Sequence, residues 1–244
     1  MSSSQARRLE TATLTNPLDL VANVDRRWLA GWAGLLLVVT AINLAIPELA
    51  FEARLLSYIG IVSCFTFVIT SPRRDFLLMA ALGATLIADL FLIMLGYIVP
   101  GVAVFCVVQL IHAYRLRFLV HTSPLPFIGA LIVMVAVGVL MQFSLVYMLG
   151  SVYACVLAHN FLAAKRFYDT TNYLIVSARI FWGFVLFVAC DFCVAITFFI
   201  SSGLIVDPII PVTVFGAMTY FFYLPSQILL ALSGTRQPGT SRVE

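Results

Sequence analysis

A single carboxylate interrupts the otherwise apolar stretch Gly83-Ala-Thr-Leu-Ile-Ala-Asp89-Leu-Phe-Leu-Ile-Met-Leu95. The arrangement returns later in the chain, in Phe184-Val-Leu-Phe-Val-Ala-Cys-Asp191-Phe-Cys-Val-Ala-Ile-Thr-Phe-Phe199. A carboxylate inside hydrocarbon costs several kcal/mol, so it needs a partner, a proton or a function. The positions of these two aspartates therefore decide how the rest of the sequence is interpreted.

The composition indicates an integral membrane protein. Hydrophobic residues make up 62% of the 244 residues and charged residues only 10%, and the mean hydropathy is +1.07. A soluble fold of this length would have almost no charged surface with which to cover itself. The net charge is only +3 and no basic stripe interleaves with aromatic residues, which excludes nucleic acid as a partner.

Eight apolar segments are long enough to cross a bilayer as helices, several of them near the short end of the usual ~20 residues. They cover residues 28–46, 54–70, 76–96, 98–114, 125–141, 143–164, 176–200 and 209–232. The sequence thus predicts an all-α polytopic membrane domain over residues 28–232. A polar N-terminal arm (1–27) precedes it and a flexible tail (233–244) follows it. The junction at Gln142 is the least marked boundary, because a single long helix could pass through it.

The distribution of Lys and Arg predicts the orientation. With the N-terminus in the cytoplasm, the inner connections hold the cations, Arg115, Lys165, Arg166 and Arg179 among them, and of all fourteen only Arg54 falls outside. We therefore expect eight spans with both termini cytoplasmic. Compact loops and the lack of other targeting signals favour a bacterial inner membrane.

Asp89 and Asp191 are predicted to lie at nearly the same depth. The third and seventh spans both run outward, and Asp89 follows Phe76 by 13 residues while Asp191 follows Val176 by 15. At 1.5 Å per residue both carboxyls rise about 20–22 Å. Each occupies the third helix of a four-helix half, which is compatible with a 4+4 parallel repeat about an axis along the membrane normal.

Two buried carboxyls at one level suggest acid/base chemistry. Desolvation and like-charge repulsion would keep one of them protonated beside one base. The same pair could instead form the cation or proton site of a transporter, or a structural pair that fixes helix packing. The other polar residues within the spans concentrate on the fourth and eighth, where Gln109 and His112, and Tyr223 and Gln227, are each one turn apart. Hydrogen bonding between helices explains the presence of Gln109 and His112 as well as a role at the site does.

No metal or cofactor is predicted. The three histidines map to the cytoplasmic half, far from the aspartates, which argues against a three-histidine zinc site. Cys190 and Cys193 have CxxC spacing but no partner pair, and the five cysteines all lie in apolar stretches. We interpret His159 and Asn160 as interfacial residues near the cytoplasmic headgroups.

Four short segments follow one another in a recognisable order. They are Leu86-Ile-Ala-Asp89-Leu-Phe-Leu92, Phe105-Cys-Val-Val-Gln109-Leu-Ile-His112, Cys190-Asp191-Phe-Cys-Val-Ala195 and Tyr223-Leu-Pro-Ser-Gln227. In this order and spacing, over roughly residues 30–232, the chain resembles the YhhN-like lysoplasmalogenase family of eight-span membrane proteins. Gln109, His112 and Cys190 stand where that family often has His, Tyr and Ser.

The resemblance implies hydrolysis of the vinyl ether bond of lysoplasmalogen, a lysophospholipid, to a fatty aldehyde and a glycerophospho-base. It implies that Asp89 and Asp191 are the acid/base pair and that no cofactor is required. The residues expected to contact the lipid substrate or its water are Gln109, His112, Tyr220, Tyr223 and Gln227. The rival functions are a small-molecule or proton/ion-coupled transporter that uses the same aspartates, and a lipid-binding or sensory protein without catalysis.

Overall fold

The structure, a computed structural model, describes residues 24–46, 49–71, 75–121, 123, 125–171, 174–205 and 209–234. Its helices are α1 (Arg26–Ala45), α2 (Ala50–Thr70), α3 (Phe76–Asp89) with a π-helical turn (Leu90–Met94), α4 (Ile98–Arg117), α5 (Leu125–Leu140), α6 (Leu145–Thr170), α7 (Ile175–Ser201) and α8 (Val212–Leu232). Seven of them are long and apolar enough to cross a membrane, and α5 is apolar but shorter. The prediction of an all-α, multi-pass membrane protein is confirmed at this level.

The break between α5 and α6 falls at the junction that the sequence marked least clearly. Gln142 has a φ of 53°, in the left-handed region, between the end of α5 at Leu140 and the start of α6 at Leu145. Ser144 precedes α6 in an extended conformation. A left-handed residue followed by an extended one cannot continue a right-handed helix. The chain therefore turns here instead of forming one long helix.

The helices are arranged as a ring. Within the part of the chain that the structure describes, α1 packs against α2 and α8, α2 against α3, α3 against α4, α4 against α6, α6 against α7 and α7 against α8. α5 packs on the outside, chiefly against α6. A larger share of α8 is buried than of any other span, since α8 also contacts α2 and α3. Side chains of α3, α4, α6, α7 and α8 thus meet in the interior.

Helices α7 and α8 approach each other closely through a glycine. A Cβ atom at Gly183 would lie 3.0 Å from both Cγ and Cδ2 of Leu230. Ser226 of α8 donates a hydrogen bond of 2.9 Å to the carbonyl oxygen of Gly183. Small residues and hydroxyl donors are the usual means by which membrane helices pack without a hydrophobic driving force. This contact fixes the level of α8 relative to α7.

Charged residues close one end of the bundle. Asp75 caps α3 by accepting a hydrogen bond from the Leu78 backbone N–H and also pairs with Arg115 at 2.8 Å. Arg115 in turn donates to Ser233 Oγ. Burial by itself would raise the pKa of Asp75, but the positive charge of Arg115 and the hydrogen bonds it receives hold that pKa below its ordinary value.

Four cations that the sequence analysis assigned to connections lie inside helices, although the predicted span 176–200 already included Arg179. Arg115 lies in the last turn of α4, and Arg179 lies in α7 with its side chain 2% exposed. Arg179 donates to the carbonyl oxygen of Leu232, near the end of α8. Lys165 and Arg166 belong to α6. The predicted ends of the fourth and sixth spans were therefore too short. Arg115 continues α4 with Asp75 as its partner, and Lys165 pairs with Asp169 on the surface of α6.

Candidate active site

Asp89 lies where the third helix changes from α-helical to π-helical. The regular part of α3 ends at Asp89, and the Leu95 N–H then bonds to the Leu90 carbonyl five residues earlier, at 3.0 Å. Gly96, with a φ of 71°, follows this wider turn. Single π-helical turns inside α-helices occur frequently at functional sites.

A tyrosine from α8 holds the Asp89 carboxyl. Tyr223 Oη donates a hydrogen bond of 2.7 Å to Asp89 Oδ2. Both side chains are buried, with exposures of 2% for Asp89 and 6% for Tyr223. Two of the residues that the sequence proposed for the site are therefore in direct contact, although α3 and α8 are distant in the chain.

The second carboxyl has the same kind of partner. Tyr153 Oη, on α6, donates a hydrogen bond of 2.5 Å to Asp191 Oδ2. Sequence reasoning missed Tyr153. A signal was present, because Tyr153, Leu157, Asn160 and Ala164 follow the i, i+4, i+7, i+11 spacing of one helical face. A tyrosine hydroxyl at membrane depth also requires a hydrogen-bond partner.

Aromatic rings connect the two tyrosine–aspartate pairs. Phe187 lies one turn before Asp191 on α7, and its ring centroid is 6.1 Å from that of Tyr223 and 6.4 Å from that of Phe105. The Phe105 ring lies 6.1 Å from the Tyr153 ring. These edge-to-face contacts form a continuous apolar surface from one pair to the other.

Each carboxyl has one oxygen without a partner. Cys190, which directly precedes Asp191 on α7, is buried. Neither Asp89 Oδ1 nor Asp191 Oδ1 accepts a hydrogen bond from the residues described here. Each carboxyl is thus held through one oxygen while the other oxygen remains available.

Gln109 and Asn160 join α4 to α6 next to the second pair. Asn160 Nδ2 donates to the Gln109 backbone oxygen at 2.8 Å and to Gln109 Oε1 at 2.9 Å. Gln109 Nε2 has no hydrogen-bond partner among the described residues. Asn160, which the sequence analysis interpreted as an interfacial residue, has a side chain that is fully buried between helices.

The remaining residues proposed from the sequence occupy two further positions. His112 is 2% exposed and its ring packs edge-on against Phe184 at 5.4 Å. Gln227 is 1% exposed, one turn beyond Tyr223 on α8. Tyr220 is partly buried and lies one turn away on the other side of Tyr223, within electrostatic reach of Asp89. Among the described residues, neither His112 nor Gln227 forms a hydrogen bond with a carboxyl group.

The described residues include no group of three or more His, Cys, Asp and Glu side chains placed to hold a metal ion. Comparison of the chain with protein-family models, with characterised proteins and with solved structures finds no match. The site must therefore be interpreted through its own geometry.

Proposed function

We propose that the chain is a membrane hydrolase that cleaves the vinyl ether bond of a lysoplasmalogen, as its resemblance to the YhhN-like family implies. The observation that carries the proposal is a pair of carboxyls within the spans, Asp89 buried and Asp191 partly buried, each held by a tyrosine hydroxyl from a neighbouring helix. Acid hydrolysis of a vinyl ether needs one proton donor and one base, and it needs no cofactor.

The first half of the reaction uses both carboxyls in different protonation states. One of them, protonated, donates its proton to the β-carbon of the vinyl ether, whose double-bond electrons form the new C–H bond. The positive charge is shared by the α-carbon and the ether oxygen. The other carboxyl, ionised, stabilises this cation and takes a proton from the water that adds to the α-carbon. The product is a hemiacetal, and the two carboxyls have exchanged protonation states.

Collapse of the hemiacetal restores the starting state. The newly protonated carboxyl gives its proton to the ether oxygen as the carbon–oxygen bond breaks, and the other removes the hydroxyl proton as the aldehyde forms. Each carboxyl has then donated one proton and accepted one. Tyr223 and Tyr153 position the carboxyls throughout, since each holds only the Oδ2 atom. The Phe105 and Phe187 rings provide an apolar surface for the alkenyl chain.

The proposal includes a bacterial inner membrane with both termini in the cytoplasm. The end of the bundle with Asp75 and Arg115 would then face inward, where cations are preferred. The proposal does not depend on a 4+4 repeat. Such a repeat would relate α8 to α4, whereas the partner of Asp191 is Tyr153 on α6.

Aldehyde release from lysoplasmalogen by the purified protein tests this function. We expect Asp89→Asn and Asp191→Asn each to lower kcat by roughly 10²- to 10⁴-fold, the usual contribution of a general acid or base. Asp169→Asn is the matched control, because Asp169 is exposed and its ion pair among the described residues is with Lys165 in its own helix. Absence of aldehyde from the wild type, or full activity of both site variants, would refute the hydrolase. Substrate or proton flux in proteoliposomes that the same variants abolish, without aldehyde, would assign the pair to transport.

A further inference from the structure

A second set of polar side chains lies further along the same helices as the carboxyl partners. Asn160 follows Tyr153 by seven residues on α6, and Gln227 follows Tyr223 by four on α8. On α4, which carries no carboxyl partner, Gln109 and His112 are three residues apart. These three helices run in the same direction, towards the end closed by Asp75. At 1.5 Å per residue the steps are about 10.5, 6 and 4.5 Å. We call Gln109, His112, Asn160 and Gln227 the inner polar layer.

The inner polar layer has more hydrogen-bonding atoms than partners. All four side chains are between 0% and 2% exposed. The atoms without a partner among the described residues are Gln109 Nε2, His112 Nδ1, Asn160 Oδ1, Gln227 Nε2 and Gln227 Oε1. Nearly all buried polar atoms in proteins are hydrogen bonded, and leaving them unpaired is costly in an apolar interior. Five such atoms in one layer indicate a bound polar ligand.

Contacts with α7 place the two ends of the layer at one level. Ser226, next to Gln227, donates to the carbonyl oxygen of Gly183 at 2.9 Å. The neighbouring Phe184 packs its ring against His112. The Gln109–Asn160 hydrogen bond attaches the other two members. The layer therefore draws on α4, α6 and α8 and lies at the level of Gly183 and Phe184 on α7.

The chemistry of the unpaired atoms suits water. The two Nε2 groups are donors, Asn160 Oδ1 and Gln227 Oε1 are acceptors, and neutral His112 Nδ1 can be either. A mixed set without net charge matches water, which takes two to four partners of both kinds. A phosphate or carboxylate would require cations, and Arg115 is already paired with Asp75 and Ser233.

We propose that the inner polar layer binds a cluster of water molecules, and that this cluster supplies the water that adds to the oxocarbenium carbon. The second clause rests on the proposed function and the first does not. Gln109 is bonded to Asn160, which lies two turns from Tyr153 on one face of α6, and Gln227 lies one turn from Tyr223, so the layer follows both carboxyl partners by one to two turns. Water bound in the inner polar layer stays apart from the apolar site until the oxocarbenium ion forms.

Hydroxyl-radical footprinting in H₂¹⁸O tests the water site without any substrate. X-ray pulses produce radicals from bound water, which oxidise the side chains in contact with it. In the wild type, we expect the extent of labelling of His112 and Phe184 to be roughly three times that of Cys64 or more. Cys64 is the control because it is reactive and 0% exposed but lies in the apolar core. Labelling of His112 and Phe184 no higher than that of Cys64 would overturn the water site.

Two variants on α8 test whether the layer acts as one site. Gln227→Leu has a similar volume without polar atoms, and we expect it to reduce His112 labelling to the Cys64 level. Thr219→Val is the matched control and should leave labelling unchanged, because the side-chain hydrogen bond of Thr219 within the described part of the chain goes to the Phe215 carbonyl in its own helix. Unaltered His112 labelling in Gln227→Leu would overturn the single layer. If Gln227→Leu does not fold, Gln227→Met takes its place in the same measurement.

Deuterium exchange during turnover tests the supply of water to the reaction. In D₂O the acid delivers a deuteron to the β-carbon. If no water adds to the resulting cation, the cation loses a β-proton to the carboxylate. The vinyl ether is then regenerated with deuterium at its β-carbon. We expect Gln227→Leu to raise the ratio of deuterated substrate to aldehyde by about fivefold or more. An unchanged ratio would overturn the supply role. If the wild type forms no aldehyde but shows the His112 labelling, the water site stands and the hydrolase function fails.

Discussion

The two tyrosine–aspartate hydrogen bonds should differ in strength, because the proposed chemistry needs one carboxyl protonated and the other ionised. Tyr223 donates to Asp89 and Tyr153 to Asp191, at 2.7 and 2.5 Å. A Tyr→Phe substitution removes only the donor, and an Asp→Ala substitution removes the acceptor. A double-mutant cycle for each pair isolates its coupling free energy from the other effects of the substitutions.

The magnitude follows from the charge on the acceptor. A hydrogen bond to a charged group contributes about 1.5–3 kcal/mol, whereas interhelical hydrogen bonds between neutral groups in a membrane protein average ~0.6 kcal/mol. We therefore expect the two coupling free energies to differ by about 1 kcal/mol or more, with the larger one identifying the ionised carboxyl. Distance alone does not decide this, since both bonds lie near the range expected for an O–H···O⁻ pair.

Reversible unfolding in mixed detergent micelles, followed by circular dichroism near neutral pH, gives the free energies for the four proteins of each cycle. Tyr114→Phe is the control, because Tyr114 is 51% exposed and its ring contact with Phe118 survives the substitution. It should change the free energy of unfolding by no more than ~0.5 kcal/mol. Equal couplings, whether both are large or both are close to zero, would refute a division of labour between the carboxyls.

Three further predictions concern stability. Asp75→Asn should lower the free energy of unfolding by about 1–2 kcal/mol near neutral pH. Because the pKa of Asp75 lies below its ordinary value of 3.8, its stabilisation is present above that pH and lost as the pH falls further, so variant and wild type should converge in acid unfolding curves. Gly183→Ala should cost about 1–3 kcal/mol through its clash with Leu230, whereas Gly34→Ala, with open space around it, should be neutral or stabilising in thermal unfolding. Gln142→Val should have a free energy of unfolding roughly 1–2 kcal/mol lower than that of Gln142→Gly, because only glycine adopts the left-handed conformation without strain. The difference would be measured by denaturant unfolding.

The helices could be predicted from the sequence because apolar runs of membrane-spanning length have few alternatives to a helix. The ends were less predictable. Arg115 was placed beyond the end of its span, but it continues α4 because Asp75 receives it, and Arg179 was counted with a connection although it lies inside α7 and donates to the Leu232 carbonyl. Such partners come from other helices, and their proximity is a property of the packed bundle that no single segment contains.

In the site, too, some residues could be predicted from the sequence while their contacts depend on helix packing. Asp89, Asp191, Tyr223 and Gln227 stood out because each is a polar residue in an apolar run. Tyr153 did not stand out, since a tyrosine is common in membrane segments and only its position on one face with Asn160 gave a signal. Which hydroxyl meets which carboxyl depends on the order of helices around the ring, and α6, not α4, brings a tyrosine to Asp191.

The π-helical turn after Asp89 was outside the reach of sequence reasoning, because it depends on a fit between two segments. A Cβ atom at residue 101 would lie 2.3 Å from Leu92 Cγ, so Leu92 occupies space that only a glycine leaves free. Gly101 is buried in the first turn of α4. A side chain there would push α4 away from the π-helical turn. Gly101 therefore sets how closely α4, which carries Gln109 and His112, approaches the helix that carries Asp89.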